Sequence, residues 1–315
     1  MKMPSRTELQ KAVKDIILNP TQTIGYLRQI GHLTNVAINS RIKDRDGLRM
    51  VDKEWDTILI LDACRFDMFQ RKNNLPGKLS KYRSLGSGSQ EFLKENFAGN
   101  QFHDIVYVSS NPFTSELPDE TFHAHIPVYE TGWDKDLQTV TPETMNSEIR
   151  KAHEKYPQKR IIGHYMQPHY PFIGEKGKSI SHRGYIPDED IRNKEERPIW
   201  SRLRFNDSEL SRAAVLEAYY ENLDVVLEFV ELLLEDIDGK VVVTSDHGNV
   251  VGERDRPIPV KTYGHPLKTY INELVEVPWL EIPYKRRRNI VADPPVETQN
   301  DIKDTKSQLK ALGYM

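Results

Sequence analysis

The segment VVVTSDHG, residues 241–248, places a carboxylate directly beside an imidazole, at Asp246 and His247. The β-branched residues at its start predict a short buried strand, and the carboxyl ends of strands are where α/β sheets build their sites. A carboxylate and an imidazole held at a strand end offer oxygen and nitrogen ligands to a divalent metal ion. The segment therefore predicts half of a metal site, although Asp246 also fits a residue that caps a simple turn.

A second carboxylate, Asp62, ends the hydrophobic run WDTILILD at residues 55–62, which predicts another strand. Together with Asp246 and His247 it completes a set of oxygen and nitrogen ligands. Because the set includes an imidazole, it favours Zn²⁺ or Mn²⁺ over Ca²⁺ or Mg²⁺. As an alternative, Asp62 fits the N-cap of a following helix.

The loop RSLGSGSQEF, residues 83–92, offers hydroxyl groups at Ser84, Ser87 and Ser89, just before a helical pattern that begins near Gln90. A hydroxyl at a helix N-terminus near a dication can be held as an alkoxide, because the metal and the helix dipole both stabilise the negative oxygen. The loop therefore predicts a serine nucleophile. These residues alone leave open which serine attacks, and Ser89 also fits a simple N-cap, with Ser87 as the nucleophile or with none.

Histidines that could act on a substrate occur in GHYMQPHYPF, residues 163–172, and in TYGHP, residues 262–266. Such side chains hydrogen-bond anionic groups or protonate leaving groups. His169 lies in a rigid turn between two prolines and is interpreted as a site residue, as is His265. His164 lies inside a predicted strand and is interpreted as a satisfied core histidine.

Strand patterns at 55–62, 105–108, 160–165 and 240–245 alternate with helical patterns, of which 208–236 is the longest. Strands separated by helices predict a mainly parallel central sheet that is covered on both faces, which is a three-layer α/β/α sandwich. In such a sheet the ends of neighbouring strands lie side by side.

We expect three parts in the chain: a helical N-terminal extension at 1–50, a catalytic domain at 51–290 and a C-terminal tail with a short helix at 291–315. In the extension, an amphipathic helix runs to Pro20 and a second helix follows to about residue 42. The polar segment 174–208 has few strand or helix signals, and loops of this length in compact domains are usually functional. We expect this segment to cover the site and to select the substrate.

The chain has 315 residues and a formal net charge of −3, so its charge gives no reason to expect a nucleic-acid partner. No run approaches the ~20 apolar residues that span a bilayer, and the first residues contain no apolar signal core. A single cysteine, Cys64, suits a reducing compartment. We expect a cytoplasmic protein without a transmembrane segment. The basic run KRRR at 285–288 and the amphipathic N-terminal helix could bind the surface of a membrane peripherally.

Five motifs, LDACRFD, GSGSQEF, MQPHYPF, SDHGNVVGE and YGHP, occur in this order along the chain. In this order they resemble the sulfatase-like branch of the alkaline phosphatase superfamily, which includes arylsulfatases, phosphonate monoester hydrolases and lipid-linked phosphoethanolamine and glycerol-phosphate transferases. The resemblance covers about residues 52–283 and the closing KALGYM. It implies an alkaline phosphatase-like fold and metal-dependent ester chemistry.

The resemblance also implies a role for each matching residue. The metal ligands it implies are Asp62, Asp246, His247 and the nucleophile Ser89. The histidines on the substrate side are His169 and His265. Arg65 would face the anionic group of the substrate. The implied catalytic set is Ser89, His169 and His265.

The chain departs from formylglycine sulfatases, which carry Cys-x-Pro-x-Arg or Ser-x-Pro-x-Arg at the nucleophile, because residues 87–91 read SGSQE. We therefore expect a metal-dependent hydrolase of phosphomonoesters, phosphodiesters or phosphonate esters that works through a covalent seryl intermediate. Three alternatives stay open: a sulfatase with an unmodified serine, a phosphotransferase to a glycan or lipid-linked acceptor, and a catalytically inactive binding protein of the same fold. The expected partner is an anionic ester substrate, free or linked to a glycan or lipid.

Overall fold

The computed structural model describes residues 20–41, 47, 49–180 and 198–296. Its strands, in chain order, are β1 (Thr57–Leu61), β2 (Lys78–Arg83), β3 (Phe102–Ser109), β4 (Phe122–Pro127), β5 (Trp133–Asp134), β6 (Thr139–Val140), β7 (Arg160–Tyr165), β8 (Val241–Thr244), β9 (Val250–Arg254), β10 (Lys261–Gly264) and β11 (Glu276–Glu281). Its α-helices are α1 (Pro20–Asn39), α2 (Phe66–Lys72), α3 (Ser89–Phe97), α4 (Val128–Thr131), α5 (Pro142–Lys155), α6 (Glu175–Ser179), α7 (Ile199–Arg204), α8 (Arg212–Leu234) and α9 (Asn272–Val275).

The central sheet has seven strands in the order β2-β11-β8-β1-β7-β3-β4. β1 pairs in parallel with β7 and β8, and β3 pairs in parallel with β7 and β4. β11 is antiparallel to both β8 and β2. β1 and β8 are buried at every position, which explains their continuous apolar runs. The predicted mainly parallel sheet is confirmed.

Helices cover both faces of this sheet. On one face, Leu59 of β1 shares a core with Ile149 of α5 and Val226 of α8. On the other face, Ile60 shares a core with Phe92 of α3. Successive side chains of a strand point to opposite faces, and burying each one stabilises the fold by about 1.5–3 kcal/mol. The predicted three-layer α/β/α sandwich is confirmed.

The parallel strands end at one edge of the sheet. Ile60 of β1 lies beside His164 of β7 and Thr244 of β8, and His164 lies beside Ser109 at the end of β3. Asp62 therefore emerges from the sheet next to the residues that follow these neighbouring strands. This register, rather than any local sequence pattern, brings the candidate site together.

The second of the two predicted N-terminal helices is present as α1, which ends at Asn39 rather than near residue 42. It packs on the hairpin of β9 and β10, where Asn35 Nδ2 donates to the carbonyl oxygen of Ile258 at 2.8 Å. None of the described helices is both long and apolar enough to cross a membrane.

Several predictions fall on parts of the chain outside the described residues. These are the helix before Pro20, the helix of the C-terminal tail and residues 181–197 of the polar segment. The described ends of that segment contain α6 and α7. The domain boundaries at 50 and 290 stay predictions.

The edge strands β2 and β4 and the antiparallel strand β11 were not predicted from the sequence. β2 is mostly exposed, so it lacks the apolar run that marks a buried strand. β11 contains Pro278, which weakens a strand pattern, and it pairs with β2 over six residues that are far away in the chain. Pairing partners distant in sequence determine these strands.

Candidate active site

A buried cluster of polar side chains lies where β1 and β8 end and α3 begins. Asp62, Ser89 and Asp246 are all buried there. Ser89 Oγ donates to Asp246 Oδ2 at 2.7 Å and lies 3.4 Å from Asp62 Oδ2. The structure thus brings together the predicted nucleophile and the two predicted carboxylate ligands, which are up to 184 positions apart (246 − 62) in the sequence.

His247 joins this cluster through one ring nitrogen. Its Nδ1 donates to the carbonyl oxygen of Gly248 at 2.7 Å. Its Nε2 lies 3.2 Å from Ser89 Oγ and 3.3 Å from Asp246 Oδ2. In a neutral imidazole that donates from Nδ1, Nε2 carries the lone pair that binds metal ions.

His164 is a member of the cluster that the sequence analysis missed. Its Nδ1 lies 2.9 Å from the hydroxyl of Tyr107, and its Nε2 lies 3.7 Å from both Asp62 Oδ2 and Asp246 Oδ2. Neither His164 Nε2 nor Asp62 Oδ1 has a hydrogen-bond partner among the described residues. The interpretation of His164 as a satisfied core histidine is therefore wrong, because its buried inward-facing nitrogen is left unpaired.

These unpaired atoms support a bound ion. A buried polar atom without a partner costs about 1–3 kcal/mol, so such atoms seldom face each other without a shared ligand. Asp62, His164 and Asp246 each offer a ligand atom, and these atoms lie within 4.8 Å of one another. Two carboxylate oxygens with imidazole nitrogens fit a divalent metal ion.

Electrostatics in the cluster agree with this arrangement. Burial by itself would raise the pKa of the Asp62 carboxyl, but the neighbouring imidazoles of His164, His169 and His247 hold that pKa below its usual range. Asp62 is therefore a carboxylate at neutral pH and keeps the negative charge that a metal ligand needs.

Asn111 is a second residue that the sequence analysis missed. It follows β3, and its Nδ2 donates to Asp62 Oδ2 at 2.7 Å and to Ser89 Oγ at 2.9 Å. Its Oδ1 accepts from the backbone N–H of Phe113 at 2.9 Å, which fixes the orientation of the amide. Polar residues 109–111 follow the strand pattern 105–108, but nothing in the sequence singles out Asn111 among them.

Of the three serines in the loop at residues 83–92, Ser89 is the one whose hydroxyl enters the cluster. Ser87 Oγ instead donates to Glu91 Oε2 at 2.8 Å, and Ser84 Oγ donates to the backbone carbonyl of Asp246. A Cβ at Gly86 would collide with the backbone nitrogen of Phe92, so only glycine lets the loop fold back over the start of α3.

His169 and His265 face each other across the rim of the cluster. Their Nε2 atoms are 2.9 Å apart, and the His169 Nδ1 donates to the carbonyl oxygen of Tyr170. Burial lowers the pKa of both rings, for His265 well below its usual value, and the nearby imidazole of His247 adds to the effect. The pair therefore consists of neutral rings joined through their Nε2 atoms.

Arg65 lies close to the cluster, but its guanidinium contacts carboxylates of the chain itself. It donates to Asp67 at 2.7 Å and to Glu253 at 2.9 Å. Although burial alone would lower it, these two carboxylates raise the pKa of Arg65. The role of Arg65 in facing an anion stays a prediction.

Cys64 is buried and follows Asp62 by two positions. Burial and the nearby carboxylates of Asp67 and Asp246 raise the pKa of its thiol well above the usual value. The thiol is protonated at neutral pH, so Cys64 does not compete with Ser89 as a nucleophile.

A cavity of about 310 Å³ opens beside Ser89 and His265. One wall comes from α7 and the residue before it, at the end of the polar segment that was predicted to cover the site. The remaining lining is mostly apolar or aromatic, and the residues around the cavity include Phe113, Pro198, Trp200, Arg204, Tyr263 and Leu267.

No family model and no curated protein matches this sequence. Solved structures that are similar include the integral membrane protein lipooligosaccharide phosphoethanolamine transferase A of Neisseria meningitidis, at 11% identity and a TM-score of 0.44 over 71% of this chain. This chain covers 47% of that protein, or about half of its length.

Two further similar structures have other titles. A 2-O GAG sulfatase, BT1596, is 10% identical with a TM-score of 0.44, over 76% of this chain and 65% of that one. The lipoteichoic acid synthase LtaP of Listeria monocytogenes is 12% identical with a TM-score of 0.41, over 83% of this chain and 72% of that one.

Proposed function

We propose that the protein cleaves a phosphoester through a covalent intermediate on Ser89, with a divalent metal ion bound beside it. One observation carries the proposal: Ser89 Oγ is buried at the start of α3, 2.7 Å from Asp246 Oδ2 and 3.2 Å from His247 Nε2. A serine that only capped its helix would accept a hydrogen bond from a backbone N–H of the first turn. A hydroxyl aimed at a carboxylate and an imidazole is instead placed for nucleophilic attack.

The residues that we propose to hold the metal ion are Asp62, Asp246 and His247, and His164 is a further candidate because its unpaired Nε2 faces both carboxylates. A dication at this position supplies positive charge that favours the alkoxide form of Ser89 and offsets charge developing on the transferred group. The imidazole ligands favour Zn²⁺ or Mn²⁺.

The chain itself prepares Ser89 for attack. Its hydroxyl proton points to Asp246 Oδ2, while Asn111 Nδ2 donates to the oxygen from the other side at 2.9 Å. The N-terminus of α3 adds a favourable dipole. Asp246 can thus accept the Ser89 proton, while Asn111 and the N-terminus of α3 stabilise negative charge on Oγ.

In the first step, the bond between Ser89 Oγ and phosphorus forms and the bond to the leaving oxygen breaks. The proton lost by Ser89 balances the proton gained by the leaving alcohol. We assign this transfer to His169 and His265, whose Nε2 atoms are 2.9 Å apart at the rim of the site. A ring takes up a proton at one nitrogen as it gives one to the leaving oxygen from the other, so both rings are neutral before and after the step. Water then attacks phosphorus, the bond to Ser89 breaks and the Ser89 hydroxyl regains its proton.

Transfer to an acceptor alcohol is a second candidate, which a specific observation favours. The cavity of about 310 Å³ beside Ser89 is far larger than an attacking water needs. An alcohol bound there could take the place of water in the second step. The acceptor in that case would be an alcohol of a glycan or a lipid.

Turnover of small esters tests the proposal. The protein is loaded with Zn²⁺ or Mn²⁺ and offered four p-nitrophenyl esters: a phosphomonoester, a phosphodiester, a phosphonate monoester and a sulfate. We expect p-nitrophenol release from at least one phosphorus ester, and added alcohols should yield alkyl phosphates if transfer occurs. Release from the sulfate alone would replace the proposal with a sulfatase, and release from none by metal-loaded protein would leave a binding protein.

A further inference from the structure

Arg204 is the charged residue in the lining of the cavity beside Ser89. It is the last residue of α7, in the described end of the polar segment, and its side chain is half-buried. Among the described residues, no carboxylate belongs to the lining of this cavity.

The Arg204 guanidinium makes no ion pair or hydrogen bond within the described part of the chain. The contact recorded there involves its backbone, since the carbonyl oxygen of Arg204 accepts from Arg28 Nη1 at 2.9 Å. Burial lowers the pKa of the guanidinium, and the group that counteracts this effect is the phenol of Tyr263 rather than a carboxylate. A half-buried cation with no anionic partner gains from binding an anion.

Neighbouring arginines differ from Arg204 in this respect. Arg202, two positions earlier on the same helix, donates to Asp207 Oδ2 at 2.7 Å and is buried. Arg65, beside the carboxylate cluster, is held by Asp67 and Glu253. The chain neutralises these two guanidinium groups itself, whereas Arg204 presents its charge to the cavity.

The lining of the cavity combines reactive residues with a cation. Ser89 and His265 belong to it, and so does Trp200, which packs over Gly264. Arg204 lies four residues beyond Trp200, which is about 6 Å along a helix. Aromatic and apolar side chains make up much of the remaining lining. A ligand that contacts both Ser89 and Arg204 therefore needs a reactive group and a second group that suits a guanidinium.

We propose that Arg204 binds a second negatively charged group of the substrate, so that the natural ester substrate, or the acceptor alcohol, carries its own anion in the portion that the cavity binds, such as a carboxylate or a further phosphate. This inference rests on the proposed function, since it takes Ser89 as the site of reaction. Arg204 acts as a specificity-determining residue: it selects among esters and does not touch the bonds that form and break.

Two phosphodiesters that differ in one charge test the inference. p-Nitrophenyl propyl phosphate and p-nitrophenyl 2-carboxyethyl phosphate share the leaving group and nearly the same length, but only the second carries a carboxylate. For the metal-loaded protein we expect a higher kcat/KM with the carboxylate ester. Arg204→Gln should lower kcat/KM for that ester about 10- to 100-fold, as expected for loss of a charge-assisted hydrogen bond, and leave the propyl ester nearly unchanged.

Two further variants separate charge from packing. Arg204→Lys keeps the positive charge but loses the planar fork, so it should retain part of the preference. Arg28→Gln removes the contact to the Arg204 backbone without removing the cavity cation, so it should keep the full preference. Equal losses with both esters in Arg204→Gln, or a loss of preference in Arg28→Gln of the same size, would overturn the inference.

A binding measurement keeps this test independent of turnover. Calorimetric titration of the wild type with propyl phosphate and 2-carboxyethyl phosphate, in the presence of metal, should give tighter binding of the second, and Arg204→Gln should abolish the difference. If the wild type binds both equally, the inference about Arg204 fails even when esters are hydrolysed. If it prefers the carboxylate compound but hydrolyses nothing, the inference survives and the proposed reaction fails.

Discussion

The amide nitrogen of Asn111 donates to the hydroxyl oxygen of Ser89 at 2.9 Å, and the same nitrogen donates to Asp62 Oδ2 at 2.7 Å. One side chain therefore positions both the proposed nucleophile and a proposed metal ligand. Because the Asn111 Oδ1 is occupied by the backbone N–H of Phe113, the amide cannot turn away without losing that bond.

We expect Asn111→Ala to lower kcat about 100-fold with little change in KM, because removing one preorganised donor to a reacting oxyanion typically costs this much. Steady-state kinetics with a phosphodiester provide the measurement. Asn100→Ala, at an exposed asparagine that contacts only a local carbonyl, serves as the control and should leave kcat unchanged. A wild-type kcat in Asn111→Ala would remove Asn111 from the mechanism.

Ser89→Ala should abolish turnover while the fold is retained. Ser87→Ala should keep most of the activity but lower the melting temperature, because Ser87 Oγ donates to Glu91 Oε2 at 2.8 Å and to the carbonyl of Pro266 at 3.1 Å. Mass spectrometry of a trapped phospho-enzyme should place the added phosphate on Ser89 within peptide 84–94. Phosphate on Ser87 would contradict the assignment.

Metal content tests the proposed ligand set. Asp246→Ala should remove most of the bound Zn²⁺ or Mn²⁺, because it deletes a carboxylate that also accepts from the Ser89 hydroxyl and the His247 backbone. His164→Gln should weaken metal affinity about 10- to 100-fold, whether it binds directly or orients a ligand. Elemental analysis after dialysis against metal-free buffer gives the numbers, with His103→Gln on β3 as the control. The ligand set is wrong if Asp246→Ala retains as much metal as the wild type.

Acid stability should depend on His153. Arg288 Nη1 donates to His153 Nδ1 at 3.0 Å, so this half-buried ring is neutral in the fold. Burial and the Arg288 charge lower the pKa of His153 to about 3. An unfolded histidine has a pKa of about 6.5, so below that value the unfolded chain binds a proton that the folded protein does not. The stability of the fold therefore falls as the pH falls through this window.

We accordingly expect His153→Gln to show a smaller loss in melting temperature between about pH 7 and about pH 5 than the wild type does. Thermal unfolding followed by circular dichroism in both buffers is sufficient. The matching control is His103→Gln, which should behave as the wild type. Identical pH dependence in His153→Gln and the wild type would exclude this histidine as a source of acid sensitivity.

Membrane contact through the basic run 285–288 should be weak. Arg287 Nε donates to Asp56 Oδ1 at 2.8 Å, and Arg288 is held by His153 and backbone carbonyls, so the run has two residues left for a lipid surface. Each contributes about 1 kcal/mol near anionic lipid, and salt screens this attraction.

We therefore expect slight co-sedimentation with anionic vesicles at low salt and none at high salt. Binding that persists at high salt would point instead to insertion of apolar groups, for which the exposed side chains of Ile24, Leu27 and Ile30 on α1 are available. The proposed cytoplasmic location would be tested separately, by fractionation of cells that produce the protein.

Strand ends were readable from the sequence because their signal is local. Buried parallel strands are continuous apolar runs, and the polar residues that end them, Asp62 and Asp246, stand out directly after them. The same logic gave the mainly parallel sheet and its helical layers. His247 follows from the same strand-end pattern as Asp246, whereas the choice of Ser89 among the serines of its loop came from the resemblance of the surrounding motifs.

His164 and Asn111 were missed because their roles depend on neighbours across the sheet. His164 has the sequence environment of any buried strand residue, and only the pairing of Ile60 with His164 turns its ring toward Asp62. Asn111 looks like an ordinary loop residue until the end of β3 is placed beside β7. No local pattern carries that information.

The sequence by itself thus determined which residue types could do the chemistry and the class of fold that carries them. Tertiary structure decided which of them meet, since distances of a few ångströms are set by strand register and helix packing over long sequence separations. The same is true of the arginines: Glu253, 188 positions from Arg65, accepts from that guanidinium, whereas Arg204 lines the cavity and pairs with no carboxylate among the described residues. The two side chains are chemically identical, and the fold decides whether a described carboxylate lies within reach of each.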